Sequence, residues 1–496
     1  ISARAPEKHF LDIKFQSIRE GEINFYYLFL YRCHDLAINE GRIGQIVPNT
    51  WMINKFCNLL REFILNNYRI TNVHYLCKNV FKDAPDTIPV ILNFINSKKN
   101  LDEKILDNDI SVRVVNDDLL DTPTFLTTSA WEDSVKQKTW YERELHQMSV
   151  FDTNKNSLFC GSLESNSILL NDIGHASDGI YKSTVEKFRK KTQGLPTDRP
   201  VIESANQVQR YEINWDGSFI PEELWSKHEE LHTGEKIILH AARKPKLYRR
   251  LVAALTEDLI FFSNRFIIIK LVNSDYSAPY VFSLINSKIL NRYYRIRFPI
   301  TDIDGYMLHQ LPIRKIKFTT SNQIRASHID EAIELYIEFS ENFDDKKVLN
   351  FIDLRLSAQP EESDVVHDFL LFLSNQMVEM NKQKNAEINT FLNFIENEIG
   401  CPIDNLSNKT HIQEYYTIEF TKFIEIIFKN KNKLKSGYSP KSRANHDILK
   451  DWFDSSIAKL NPLCQKIDIT DTLIDQIVYK LYNLSEEEIK ILEDQM

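Results

Sequence analysis

Glycine is scarce in this chain, 12 of 496 residues, where globular proteins usually carry roughly 7%. A glycine-rich phosphate cradle is therefore not expected, and neither a Walker loop nor a G-x-G-x-x-G turn occurs. No two prolines are adjacent anywhere. The six cysteines, Cys33, Cys57, Cys77, Cys160, Cys401 and Cys464, lie far apart and form no Cys-x-x-Cys pair. That excludes the usual zinc spacing and a dense disulfide framework, and makes a cytoplasmic location the default. Long apolar runs are missing too. The greasiest stretches, 25–31 and 266–272, are too short to cross a bilayer, so no membrane is expected as a partner. No signal peptide is expected at the start. Basic residues are outnumbered by acidic ones, 61 to 70, for a net charge of −9. This balance excludes a protein that coats nucleic acid without selectivity, yet a local basic stripe can still supply phosphate contacts.

What is present reads as an ordinary globular chain, 43% hydrophobic and 26% charged, long enough for two or three domains. Residues 1–98 have an α/β pattern. A helical stretch at 24–39 ends at Gly41, a short strand follows at 43–48, and an amphipathic helix at 53–66 precedes strands at 72–77 and 87–95. This is the closing half of a doubly wound sheet, without an opening nucleotide-binding strand and turn. From 99 to 318 the elements shorten, with polar breaks at 152–157 and 192–200. Strands are expected at 236–242, 258–263 and 265–272, and a helix at 278–297 with a break or packing corner at Asn286-Ser287-Lys288. Residues 319–496 are mostly helical. A long amphipathic run at 365–400 stops at Gly400 and a basic connector spans 429–443. Ile474, Ile477, Val478 and Leu481 then share a helical face, and a capping box at 485–488 starts a last helix.

One segment carries family information. It contains Asn24-Phe25-Tyr26 with Phe29 on a helix, then Ile46-Val47-Pro48-Asn49-Thr50-Trp51, then Leu60-Arg61-Glu62-Phe63-Ile64, then Val80-Phe81 and a strand at 87–94 opened by Thr87. These motifs resemble the region downstream of the catalytic motif in gamma-class adenine-N6 DNA methyltransferases, a group that includes TaqI-like enzymes and fused type IIG restriction–modification proteins. The stretches 200–213, 236–255, 280–295 and 311–316 are similar to parts of a TaqI-like specificity domain, and the helices after 365 resemble a type IIG tail. The resemblance implies an α/β and α+β multidomain protein. Residues 1–98 would be the rear half of a Rossmann-like methyltransferase sheet, 99–318 a mixed α/β target-recognition domain, and 319–496 a helical C-terminal domain.

The resemblance also assigns roles. Phe81 is expected to stack on a base flipped out of the duplex, the alternative being plain packing at a strand end. Asn24, Pro48, Asn49 and Trp51 fall at element ends that face cofactor and substrate in α/β enzymes, the alternative being structural; Asn24, Pro48 and Asn49 are the cofactor-side candidates. Arg243, Lys244, Lys246, Arg249 and Arg250, with Tyr248 among them, are expected on DNA. A second basic run holds Lys187, Arg189, Lys190 and Lys191, and a third Lys288, Arg292, Arg295 and Arg297; of these Lys190, Arg292 and Arg295 are the DNA candidates. His175, Ser177 and Asp178 fall in an expected turn. No metal site is expected: Pro85-Asp86 has no partner for a nuclease motif, and Glu488-Ile489-Lys490 sits in a capped helix.

The family transfers a methyl group from S-adenosylmethionine, using an Asn/Asp/Ser-Pro-Pro-Tyr/Phe motif and a glycine-rich cofactor loop. Both are absent here. Since the first residue is Ile1, the chain is expected to begin inside a larger polypeptide, just after the catalytic motif. The parent is then a site-specific DNA adenine methyltransferase, possibly fused to an endonuclease, whose cofactor is bound mainly by the missing region. The chain alone would bind double-stranded DNA, hold no cofactor and transfer no methyl group. The alternative is a stand-alone DNA-specificity subunit that recruits a separate catalytic chain.

Overall fold

The computed structural model describes residues 8–21, 24–97, 106–115, 117–122, 124–245 and 247–494. It is mixed α/β with several small sheets and a helical C-terminal region.

The first sheet is built as the sequence periodicity requires. Helix α1 (Phe25–Leu36) leads to strand β1 (Arg42–Pro48), and α2 (Asn58–Asn67) leads to β2 (Tyr68–Tyr75) and β3 (Pro89–Asn96). Strand β3 pairs antiparallel with both β1 and β2, from Arg42 opposite Ile95 to Pro48 opposite Pro89 on one side. β1 and β2 therefore run the same way, with α2 as the crossover and β3 inserted between them. The helix expected at 53–66 is shorter, because two 3-10 turns at Thr50–Met52 and Lys55–Cys57 precede α2.

The sheet does not stop at residue 98. Strand β4 (Asp109–Val115) pairs parallel with β2, and β5 (Ser129–Lys136) pairs antiparallel with β4, giving the order β1-β3-β2-β4-β5. β1 is an edge strand. Beside it, α1 buries Tyr27, Leu28 and Leu30 but exposes Phe25, Phe29 and Leu36 at 61%, 63% and 73%.

The second sheet takes β6 (Gly174–Asp178), β7 (Lys236–His240), β8 (Ala253–Thr256) and β9 (Phe266–Leu271) in the order β8-β7-β9-β6, all antiparallel. Every residue of β7 is buried. Its run of Ile237, Ile238 and Leu239 contributes roughly 1.5–3 kcal/mol per side chain by burial. The strand expected at 258–263 shrinks to Phe261–Phe262, which pairs in parallel with Val201 and Ile202 in a separate small sheet. The helix expected at 278–297 is two helices, α3 (Ala278–Asn286) and α4 (Lys288–Arg297). Ser287 is extended between them, and its hydroxyl accepts from Leu290 N, capping the second helix.

The C-terminal region is framed by α5 (Ser363–Ile399) and α7 (Arg443–Leu481), with the shorter α6 (Phe420–Lys429) between them and α8 (Glu486–Asp494) last. Gly400 ends α5 in a left-handed conformation, φ 69°. The Ser485 hydroxyl accepts from Glu488 N while Ser485 N donates to the Glu488 carboxylate, so the capping box forms. One continuous core joins both sheets, α3, α4, the first half of α5 and the end of α7. No described helix is long and apolar enough to cross a membrane.

Candidate nucleic-acid interface

A cleft of about 820 Å³ opens between the two sheet regions. One wall is the carboxyl end of β2 (Tyr75 with Leu76 and Cys77 after it), the end of β4 (Val114, Val115) and Trp131 of β5. Lys244 and Pro245 from the loop after β7, and Arg292, Arg295 and Ile296 from α4, form the other wall. The junction of these elements, on the carboxyl side of parallel strands, is where open α/β sheets place ligands. Among the described lining residues are four cations, Lys78, Lys244, Arg292 and Arg295, and one carboxylate, Asp118. Trp131 and Phe151 pack with ring centroids 5.4 Å apart at its base.

The two arginines are set by one turn of α4. Arg292 is buried, donates to the Asn156 side-chain oxygen at 3.2 Å and lies over the Phe159 ring. Burial, and then the charge of Arg295, pull its guanidinium below the ordinary value. Burial shifts Arg295 the same way, although its side chain still lines the cleft. Two desolvated guanidiniums on one wall are stabilised by an anion, and their planar forks match a phosphate.

The other basic residues of the sequence divide sharply. Lys244 is exposed on the cleft rim. Lys246 lies outside the described residues. Arg243 is half-buried and its Nε donates to the Arg249 carbonyl at 3.2 Å. Arg249 turns inward to Asp471 and Asp475 of α7. Arg250 is fully buried; its guanidinium donates to the Ile300 carbonyl at 2.6 Å and stacks over Tyr294. Arg249 and Arg250 of the expected DNA-binding run thus both hold partners inside the fold, Arg249 half-buried and Arg250 wholly buried. Lys190 pairs with buried Asp198 at 3.0 Å, which also accepts from Gly194 N and Leu195 N, so this lysine closes the 190–198 loop. In the same run Arg189 pairs with Glu203, and Lys191 lies 3.8 Å from Asp216. Arg297 bridges Asp152 and Glu164. Lys288 donates its backbone N–H to Asp475.

Phe81 sits in the loop between β2 and β3. Asn79, in a left-handed conformation with φ 65°, turns the chain there. Val80 packs inward on Leu76, Cys77 and Val115, while Phe81 is 42% exposed and does not line the cleft. Lys78 ties the loop by an ion pair to Asp86 at 2.9 Å, and that bond holds the Asp86 carboxyl below its usual range.

The cofactor-side candidates all have partners within the fold or structural places in it. Asn49 is buried and its amide donates to the Tyr75 hydroxyl at 3.0 Å and the Pro299 carbonyl at 3.4 Å, joining the first sheet to the chain just after α4. Asn24 is exposed at the start of α1, with its amide on the Tyr27 hydroxyl. Pro48 ends β1 and Trp51 is wholly buried. The Tyr75 and Pro299 contacts occupy the Asn49 amide donors. Arg61, within the Leu-Arg-x-Phe motif, is also structural: its guanidinium donates to the Trp51, Asn54 and Leu145 carbonyls. The GHASDG segment holds strand β6 rather than a turn, with His175, Ser177 and Asp178 on its exposed positions. Lys78, Trp131 and Asn156 carried no sequence signal that would have joined them to the cleft; their neighbours there are distant in the chain.

Three family models match the chain. Residues 2–81 match the Eco57I restriction-modification methylase family, 199–313 the TaqI-like C-terminal specificity domain, and 366–478 a domain of unknown function, DUF8810. No curated protein matches. Among solved structures, the type IIG restriction endonuclease BpuSI is similar at 11% identity over 65% of this chain and 46% of its own, with a TM-score of 0.26. The type IIL restriction-modification enzyme MmeI in complex with DNA is similar at 10% identity over 74% and 51%, with a TM-score of 0.37. The ATP-dependent type ISP enzyme LlaBIII bound to DNA is similar at 10% over 67% and 28%, with a TM-score of 0.38. The chain spans between 28% and 51% of the length of these three structures. Two parts of the chain are therefore similar to known families: residues 2–81 to the Eco57I restriction–modification methylases and residues 199–313 to the TaqI-like C-terminal specificity domain.

Proposed function

We propose that this chain is the DNA-recognition part of a restriction–modification protein. The observation that carries the reading is the convergence of Lys244, Arg292 and Arg295 on one cleft at the carboxyl ends of β2 and β4. A duplex seated there places phosphates on the guanidiniums, and Phe81 projects from the adjoining loop toward an extruded base. In this reading the first sheet, which runs on through β5 to residue 136, belongs to the methylase half, the residues from there to 318 read the target and 319–496 support them. The parent activity is S-adenosylmethionine-dependent adenine-N6 methylation, and the cofactor is held by another part of the enzyme.

The open β1 edge and the exposed Phe25, Phe29 and Leu36 face of α1 support a catalytic half packed against this side, on the same polypeptide or on a separate subunit. The test is twofold. Fluorescence anisotropy with a duplex measures binding, and the double variant Lys244→Gln/Arg295→Gln should weaken it and flatten its salt dependence. Tritiated methyl transfer to DNA should be absent for this chain alone; incorporation would overturn the division of labour.

A further inference from the structure

The region that matches a domain of unknown function contains a separate lobe. Along α5 the main core takes side chains as far as Met380, and a second core begins at Phe391. In α7 the order reverses: Leu449, Phe453 and Leu460 belong to the second core, and Leu473 to Leu481 to the main one. The two helices are thus an antiparallel stem, tied midway by the Lys459–Glu387 ion pair at 2.9 Å. Phe391 lies eleven positions beyond Met380 on α5, about 17 Å of helix. The lobe at the far end closes on Phe391, Tyr415, Phe423 and Phe453, which pack ring on ring.

Across this lobe runs the segment 429–443. It carries six cations, Lys429, Lys431, Lys433, Lys435, Lys441 and Arg443, and no Asp or Glu. All six are exposed. Lysines elsewhere on the lobe are matched with acids: Lys409 with Asp404, Lys450 with Asp454, Lys422 with Glu425. Within the segment only Lys435 reaches a carboxylate, Glu398 at 3.9 Å, and Lys433 donates to the Asn405 carbonyl. Lys429, Lys431, Lys441 and Arg443 have no carboxylate partner among the described residues; Lys431 and Lys441 lie over the Phe428 ring. Four unneutralised cations gathered on one lobe of a chain of net charge −9 are not the mixed, paired surface found around them. An interspersed surface keeps a protein soluble, whereas a one-signed field attracts a polyanion.

We infer that this lobe is a second DNA-docking surface, which holds the phosphate backbone without reading sequence, away from the cleft at the end of the stem. The inference extends the DNA-binding reading above and rests on it. The contacts are electrostatic, so their signature is salt. Each phosphate neutralised contributes about 0.9 to the slope of log K against log salt. Four cations give a slope change of about 3–4, or a loss of affinity on the order of 100-fold over a fourfold rise in salt.

The experiment compares three forms of the full chain on a duplex of about 40 base pairs, by anisotropy across a salt series. These are the unaltered chain, the lobe variant Lys429→Gln/Lys431→Gln/Lys441→Gln/Arg443→Gln, and the cleft variant Lys244→Gln/Arg295→Gln. The lobe variant should melt as the parent does, since its altered side chains are exposed, and should lose about 3–4 from the slope. If its slope and affinity equal the parent's while the cleft variant is weakened, the lobe proposal fails and the cleft reading stands. If the lobe variant is weakened and the cleft variant is not, the cleft reading fails. Should the cations serve an acidic protein surface instead, the DNA slope stays at the parental value, which also overturns the proposal.

Discussion

The guanidinium of Arg249 lies 3.2 Å from the carboxylate of Asp475. This contact joins the basic loop after β7 to the last long helix across 226 residues of sequence. Asp475 also accepts from Lys288 N, the first residue of α4. Beside it, Arg210 pairs with Asp471, and the Tyr211 hydroxyl donates to the same carboxylate at 2.9 Å. One turn of α7 therefore fixes both the basic loop and the helix that carries Arg292 and Arg295. Replacing Asp475 with Ala removes the acceptor of the α4 N-terminus and one of the two carboxylates of half-buried Arg249. It should destabilise the chain by about 1.5–3 kcal/mol in urea unfolding, the scale of a lost hydrogen bond to a charged group.

Lys244 and Arg250 sit six residues apart in one run but should respond in opposite ways. Lys244→Ala should leave unfolding unchanged and lower the salt slope of DNA binding by about 1. Arg250→Ala should cost about 3–5 kcal/mol of stability, because the Ile300 and Phe298 carbonyls lose a buried charged donor. Paired urea and anisotropy titrations separate the two. A stable Arg250→Ala protein with weakened DNA binding would reverse the assignment.

Phe81→Ala should be nearly neutral for folding, since the ring is 42% exposed. Under the proposed role it should weaken binding to a duplex bearing an extruded base by about 1–3 kcal/mol, with little change for a fully paired duplex. Equal affinities for the two duplexes in parent and variant would remove Phe81 from the base site.

Acid should loosen the specificity region through His232. Its ring is buried, stacks on Phe261 with centroids 4.6 Å apart, and donates Nδ1–H to the His228 carbonyl. Burial drives its pKa down to about 4. The unfolded chain binds that proton near pH 6.5, so between about 6.5 and 4 the unfolded state holds more protons and stability falls with pH. Above 6.5 the contribution is complete. The loss approaches about 3 kcal/mol at the acid end. His240, shifted downward by burial as well, adds to the same limb. Urea unfolding of His232→Phe from pH 7 to pH 4 should show a shallower decline than the parent.

Gly400→Ala tests the lobe. The residue is left-handed, and an added Cβ would lie 2.7 Å from Lys435 Cβ. The expected cost is about 1–2 kcal/mol, seen as early hydrogen exchange in the lobe, with the specificity region unaffected.

Local chemistry made much of this protein legible in its sequence. Short apolar runs bounded by polar breaks marked β1, β2, β3, β7 and β9, because a strand buries its side chains within a few residues. Gly400, the 485–488 capping box and the corner at Ser287 were readable for the same reason: each satisfies backbone groups from its own turn. The motif segment around Phe81 announced its family. The partition of the basic run 243–250 was not legible. Whether an arginine meets DNA or braces the fold depends on which acceptors arrive beside it. For Arg249 and Arg250 those come from α7 and from residues 298–301, brought in only by tertiary packing. The same holds for the cleft, whose walls are about 170 residues apart at Lys78 and Pro245, and for β4 and β5, which extend a sheet the sequence closed at residue 98. Sequence determined which elements form and which residues carry charge; burial and long-range pairing decided which of those charges remain available to a ligand.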